Sequence, residues 1–461
     1  MSNHRNLIVF TLLGLLFLLT GILQSWSGAL GLLTVGLISG IVALGLNIQW
    51  GYAGQFNAGV MGFSAIGAVA CVLISMPWVT GAMIQNLEVL LDNPDSKVEV
   101  IEQLQQDLAR RTHAERQMWS AWLIGGLGTI VAWGSNYLLR NRLPGAIRVF
   151  IALVILGISL ALFRSQFGLA VPIIESTGFG DDSKYLGGLG LPILLAWVVG
   201  GLLAAAAAWG IAKIALGLRS DYLAIATLGI AEIIVAMLKN EGWLTRGVLN
   251  VTGLPSPVPT AKALQVEPYG LATDVSLIVQ KLLFLAIVAA FLGLFIWLAH
   301  RALHSPWGRM MRAIRDNEEA ANAMGKNVVL RHRQVFILGS FMLGVGGAML
   351  ATNVLQFEPA GYSPLRYTFL IWVMVIVGGS GNNLGSVVGG LLIWFAWIQA
   401  EPAASWLFML IGTGLTEDGS DLAVLLSQRA PQMRTLVMGL VLLLVLRFAP
   451  RGILPETLRR K

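Results

Sequence analysis

The chain has 461 residues, 56% hydrophobic and 12% charged, with a mean hydropathy of +0.74. Soluble domains carry about a quarter charged residues, so this composition excludes a soluble domain and points to an all-α polytopic membrane protein. The net charge of +7 marks basic loops on one side of a membrane, not nucleic-acid binding. The single cysteine, Cys71, excludes an intrachain disulfide framework and a multi-cysteine metal site.

In chain order, the first apolar run is Leu7 to Leu23, after His4 and Arg5. A second, Ala29 to Leu46, follows at once, so no cleavage site followed by a soluble domain appears and the first run is expected to be an uncleaved helix. A Gly-rich polar stretch, "WGYAGQFNAG" (Trp50 to Gly59), separates this pair from the third run, Ala58 to Ser75. Pro77 to Met118 reads as an external segment, with a mixed-charge surface helix in "VEVIEQLQQDLARRTHAERQ". Further spans are expected at Trp119 to Leu139, Ile147 to Phe163, Leu191 to Ile211 and Tyr222 to Leu238. The last of these carries Glu232, an ionisable group that is costly inside a span unless paired or functional. Asn240 to Ser276, with "GLPSPVPT", reads as an extended external loop. Leu277 to Ala299 and Val335 to Ala351 flank a basic loop, and Met433 to Leu446 is the last span. Thr368 to Ile398 is cut by "GGSGNNLG" into two pieces, each too short to span, and is expected to form a hairpin of half-helices. The expectation is about ten spans plus that hairpin.

Loop charge gives orientation. Arg301, Arg309, Arg312, Arg315, Lys326, Arg331 and Arg333 crowd one loop. Arg140, Arg142 and Arg148 lie in another, and Arg447, Arg451, Arg459, Arg460 and Lys461 in the tail. The positive-inside rule puts all three, and both termini, in the cytoplasm. Acidic or mixed loops (Glu175, Asp181 and Asp182; Glu401, Glu417, Asp418 and Asp421) then fall outside.

The sequence offers little covalent chemistry. "AMGKN" lacks the leading glycine and the Ser or Thr of a nucleotide-binding P-loop. The five histidines show no metal-ligand spacing, and no nucleophile elbow is present. No catalytic residue, metal or cofactor is expected, and ATP is not hydrolysed by this chain itself.

Two features stand out. The first is the charged island "RDNEEAANAMGKN", Arg315 to Asn327. Arg309 to Ala323 is helix-prone with small residues on one side, and Gly325 is placed to end it. It reads as a short lever between spans, or as an interfacial helix snorkelling its arginines. The second is the pair of Gly-rich breaks, one in each half: Gly51, Tyr52, Gly54, Gln55, Asn57 and Gly59, and Gly378, Gly379 and Gly381. Irregular backbone at membrane depth lines a cavity or is buried in protein. Close packing is the other reading, since Gly381, Gly385 and Gly389 have small-xxx-small spacing. Glu232 is equally open between structural pairing and a place on a path.

Glu319-Ala320-Ala321 followed, after three intervening residues, by Gly325 resembles the coupling motif of ABC importer permeases. The surrounding "SPWGRMMRAIRDNEEAANAMGKNVVLRHRQVFILGSFMLGVGGAML" is similar to permeases of the branched-chain amino acid (Leu/Ile/Val) family. So are "LGLNIQWGYAGQFNAGVMGFSAIGA", "SDYLAIATLGIAEIIVAML" and "VMVIVGGSGNNLGSVVGGLLI". The resemblance implies a single inner-membrane permease domain over 1–461, with 300–334 as a cytoplasmic coupling loop. Against that pattern 77–118 looks like an extracytoplasmic insertion, and 119–189 like extra spans and a loop. It implies a second permease subunit, two cytoplasmic ABC ATPases and a periplasmic amino-acid-binding protein as partners. The cargo implied is branched-chain or other hydrophobic amino acids. Two departures are visible. "VFILGS" lacks the proline that often follows the coupling glycine. Asn57-Ala58-Gly59-Val60 also stands where the family reads Ser-Leu-Gly-His, which keeps urea or short-amide cargo open. An ion-coupled secondary transporter is the alternative from another class.

Overall fold

The computed structural model describes residues 2–76, 88, 98–139, 144–176, 188–216, 220–241, 247, 250–266, 268–415 and 428–456. The sequence expectations for Arg140, Arg142, Asp181, Asp182, Glu417, Asp418, Asp421 and 459–461 fall outside these residues, as does nearly all of 77–97. Nine helices among the described residues are long and apolar enough to cross a membrane, and the protein is an all-α polytopic membrane protein. The chain divides into two compact units, one of residues 1–71, 192–237 and 254–461, the other of 72–191 and 238–253.

In the larger unit α1 (Ser2–Leu23) and α2 (Trp26–Asn47) are joined by Ser25, whose hydroxyl caps α2 by accepting from the Gly28 N–H at 3.0 Å. It also holds α6 (Ile193–Ala215), α9 (Thr273–His304) and α12 (Val328–Val354). The remaining long helices of this unit are α13 (Pro364–Gly378), α14 (Asn383–Leu415) and α15 (Met433–Phe448). α2 is the central helix, packed on α1, α9, α12, α13 and α14. α12 lies between α2 and α6. Between apolar helices in lipid, attraction comes from close packing and internal hydrogen bonds, not from expelling water. Both are visible here. Trp197 of α6 is fully buried and donates its indole N–H to Thr352 Oγ1 of α12 at 2.9 Å. A Cβ on Gly67, in α3 (Val60–Ser75), would run into the backbone of Gly344 in α12, and one on Gly344 would meet Gly200 of α6. Cys71 is buried in α3 beside Ala348 and Thr352.

The Thr368 to Ile398 region is not a pair of half-helices. Its first arm is short, but the second continues as the 33-residue α14, well past Ile398. The expectation fails because Glu401, a charge in an apolar run, reads as the start of an acidic loop. Pro402 instead lies inside α14. Glu401 forms an ion pair with Arg434 of α15, so its charge is matched within the helix layer.

In the smaller unit α4 (Val98–Leu138) and α5 (Gly145–Ser176) pack along one another. α4 has 41 residues, about 60 Å at 1.5 Å per residue, twice a hydrocarbon core. The expected surface helix and the expected span at Trp119 are therefore one helix, polar in its first half and apolar in its second. Arg111, buried in the polar half, bonds Glu115 at 3.2 Å and the Ile174 carbonyl of α5 at 3.0 Å. Burial pulls its guanidinium down from the ordinary value, and the Glu115 carboxylate opposes this.

The α3–α12–α6 contact yields a test. Gly67→Leu should overpack it and lower the stability of the purified permease by about 1–3 kcal/mol or more. Gly293→Ala, whose new Cβ meets open space on α9, should not lower it, since alanine is favoured over glycine inside a helix by about 0.5–1 kcal/mol. Thermal unfolding in detergent compares the two, and an equal effect would contradict this packing.

Candidate functional site

The charged island forms two helices. α10 (Pro306–Asp316) starts with proline at its first position and turns Gly308, Met311 and Ile314 inward. It stops at Asn317, whose backbone is extended at φ −158°. The Asn317 side chain instead caps α11 (Glu318–Ala323), accepting from the Ala320 N–H at 2.9 Å. The expected single helix from Arg309 to Ala323 is thus broken, because asparagine's amide competes for the backbone donors. α11 ends at Met324. Lys326 N–H bonds the Ala321 carbonyl at 3.2 Å and Gly325 N–H that of Asn322 at 2.9 Å, with Gly325 at φ +75°. That is the double-bonded, glycine-terminated helix end. Ala321 is buried, while Glu319, Ala320 and Met324 are exposed.

The first Gly-rich break is a buried polar knot. α2 runs on through a π turn, Ile48–Tyr52. Gln49, fully buried, donates to the Phe336 carbonyl at 2.9 Å and to Ser340 Oγ at 3.2 Å, both on α12. Its carboxamide oxygen accepts from Asn57 Nδ2 at 2.8 Å. Asn57 Oδ1 accepts from Gly59 N–H at 2.8 Å, and the Asn57 carbonyl takes the Trp372 indole N–H of α13 at 3.0 Å. Ala58 N–H bonds Thr227 Oγ1 of α7 (Ser220–Asn240) at 3.0 Å. Phe56 stacks on Trp372 at 4.1 Å, and Trp50 meets the same ring tilted, at 4.6 Å. Gln55 is buried as well, and neither of its side-chain polar atoms has a partner among the described residues.

The second break does not interrupt a span. Gly379 to Asn382, within it, is the turn between α13 and α14, and this turn packs against the first break. Gly381 N–H donates to Asn47 Oδ1 at 2.8 Å, and a Cβ on Gly51 would collide with Asn47 and with Gly381 N. The tail threads past this turn: Ile453 and Leu454 N–H bond the Val377 and Gly378 carbonyls, each at 2.9 Å. Asn382 Nδ2 reaches the Leu454 carbonyl at 3.1 Å. Gly379, at φ +116°, lies directly against Leu454.

Arg315, near the end of α10, closes the junction. Its Nη1 donates to the Gly51 carbonyl and to Glu456 Oε2 of the tail, the latter at 3.1 Å. Gly54, at φ +71°, sits under its side chain. The structure thus gathers Gly51, Tyr52, Gly54, Gly378, Gly379 and Gly381 at the end of the bundle where the island lies. Gln55, Asn57 and Gly59 sit beside them in the knot. Glu232 is not gathered: it is exposed on α7. Sequence reasoning missed Asn47, Gln49, Asn382 and Glu456. Asn47 and Gln49 carried a signal, as carboxamides at the end of a long apolar run, whereas Glu456 carried none.

Away from the junction, α2, α12 and α13 enclose a cleft of about 270 Å³. Val35, Val42, Met61, Leu350, Leu370, Ile371 and Met374 make it apolar, and Ser39, Asn353, Glu358 and Tyr367 supply its polar groups.

Removal of either partner of the Arg315–Glu456 pair should release the tail. The side chains are 21% and 19% exposed, and a double-mutant cycle of Arg315→Ala and Glu456→Gln should give a coupling of roughly 0.5–3 kcal/mol. Thermal unfolding of the four proteins measures it; strictly additive effects would contradict the bridge.

The family model described as branched-chain amino acid transport system / permease component matches residues 147–446. The high-affinity branched-chain amino acid transport system permease protein LivM of Escherichia coli (strain K12) is 25% identical over 321 residues, 66% of this chain and 68% of that protein. The probable branched-chain amino acid transport permease protein LivM of Methanocaldococcus jannaschii is 24% identical over 320 residues, 66% of this chain and 82% of that protein. No solved structure matches the chain significantly. The family match begins inside the segment 119–189 and leaves residues 44–68, the first of the four resembling blocks, outside it. It takes in the island, the second break and the helices that line the cleft from α12 onward, and the chain belongs to the family of permease components of branched-chain amino acid transport systems.

Proposed function

We propose that this permease is the membrane subunit of an ATP-driven importer of branched-chain or other hydrophobic amino acids. It works with a second permease, two cytoplasmic ATPases and a periplasmic binding protein. The observation that carries the reading is the junction: a short exposed helix pair whose Arg315 is bonded both to the end of α2 and to the tail. A partner that closes on the exposed Glu319 and Ala320 pulls α10, with Ala321 seating α11 on the bundle from beneath, and Arg315 passes the pull to Gly51. The Gln49–Asn57 knot passes it on to α12 and α13, which wall the cleft. The cleft's apolar lining with a few polar groups supports an amino acid with an apolar side chain over urea, which has no apolar part. Both termini and the loop 300–334 are cytoplasmic in this reading. Glu232, exposed within a membrane helix, marks α7 as a face for the second permease.

Orientation is tested in a Cys71→Ala background with single cysteines at Ser256 and Ser305. An impermeant thiol reagent on intact cells should label the first and not the second; the reverse would overturn the topology. Coupling is tested with Gly325→Val, which opposes a positive φ at a cost on the order of 1 kcal/mol or more, and with Ala320→Arg, a change on the exposed side of α11. Each should leave the permease in the membrane yet reduce ATPase co-purification or uncouple ATP hydrolysis from uptake. Cargo is tested in liposomes with the complete transporter: ATP-dependent uptake of leucine but not urea is expected, and urea uptake without leucine uptake would overturn the cargo.

A further inference from the structure

A second cavity, of about 370 Å³, lies beside the junction. Its lining differs in chemistry from the apolar cleft. Arg5 from α1, Arg312 from α10, and His300 and His304 from the end of α9 face it, together with Tyr52 and Asn383. One carboxylate, Glu456, is on its wall, and that group is already bonded to Arg315. Neither Arg5 nor Arg312 has an ion pair among the described residues; Arg312 Nη2 reaches only the Leu303 carbonyl, at 3.3 Å. The two imidazoles lie tilted against each other at 4.0 Å, with His304 Nδ1 bonded to the His300 carbonyl. Asn383 is 9% exposed, and its side-chain oxygen has no partner among the described residues. Rotation of this amide presents its N–H groups instead. Asn383 also opens α14, so the positive end of a long helix dipole points the same way.

Two arginines without carboxylate partners among the described residues and the start of a long helix, all on one cavity wall, together specify an anion with several acceptor oxygens. The cavity is also bounded by Ile296, Leu303 and Leu384, apolar surface that a bare inorganic ion does not need. One residue beyond Ile296, Trp297 is 55% exposed with Arg301 over its ring at 5.7 Å, the pairing expected at the level of lipid headgroups. We propose that this cavity binds a phosphate-bearing anion, supplied either by the headgroup of an acidic phospholipid or by free phosphate. Bound there, the anion bridges α1, α9, α10 and the start of α14. It holds Arg312 in place one turn of α10 before Arg315, and so stiffens the helix that carries the junction.

The test uses the full-length permease, delipidated in detergent and returned to nanodiscs of phosphatidylcholine alone or with phosphatidylglycerol. Native mass spectrometry counts retained lipid, and thermal unfolding is followed as phosphatidylglycerol or millimolar inorganic phosphate is added. Preferential retention of phosphatidylglycerol, reduced about fivefold for each of Arg5→Gln and Arg312→Gln, would assign the site to a lipid headgroup. Stabilisation by inorganic phosphate in pure phosphatidylcholine, lost in the same variants, would assign it to the free anion. Arg5 is exposed at the start of the chain, so its replacement leaves the fold intact even if Arg312→Gln does not. Equal retention of the two lipids together with no phosphate effect, or selective binding unchanged in Arg5→Gln, would overturn the proposal.

Discussion

The larger unit depends on one guanidinium. A π turn ends α2 and leaves the Gly51 carbonyl pointing out of the helix at a place crowded by the α13–α14 turn. A backbone acceptor buried without a donor costs about as much as a lost hydrogen bond. Arg315 supplies that donor from α10 and uses the same nitrogen to hold Glu456 of the tail. Everything around it is shaped to permit this. Gly51 and Gly381 have no side chains because the Asn47 bond brings their backbones into contact, and Gly379 accommodates the tail with a backbone that other residues rarely adopt.

The knot one step inside extends the constraint. Gln49 is a single side chain bonded to α12 on one side and, through Asn57, to α13 on the other. These bonds are shielded from water, where electrostatic attraction is stronger and an unmade bond is costlier. The end of α2 therefore cannot tilt without carrying α12 and α13 with it. Those are the helices that wall the apolar cleft. The junction and the cleft are built on the same three helices, α2, α12 and α13.

Much of this was legible in the sequence where a single physical rule governs. Apolar runs longer than a bilayer gave the spans, and the Gly325 turn followed from glycine's place after a short polar helix. The two Gly-rich breaks read as a pair in the sequence. Their location is not legible there, because a break in hydropathy does not distinguish a mid-span unwinding from a turn at a bundle end. The α14 helix was cut short for a related reason: Glu401 reads as a loop residue until Arg434, 33 positions later, is seen to neutralise it. The single helix expected from Arg309 to Ala323 failed at one residue, Asn317, whose side chain prefers to cap rather than continue. Glu456 and Asn47 lie 409 positions apart and meet only through Arg315 and Gly381. No local pattern announces such a contact. Glu232 stood out for its charge, yet it joins neither the junction nor the cleft.

The central claim is that α11, the α13–α14 turn and the end of α2 move as one body while the cleft changes width. In a Cys71→Ala background, spin labels at Asn322 and Ser380, both exposed, report the first. Labels at Trp26 and Leu365, also exposed, report the second. Double electron–electron resonance on the transporter assembled with its ATPases, with and without a trapped ATP analogue, gives both distances. The account predicts an Asn322–Ser380 distance that stays fixed while Trp26–Leu365 changes. A shift at Asn322–Ser380 with Trp26–Leu365 unchanged would contradict it.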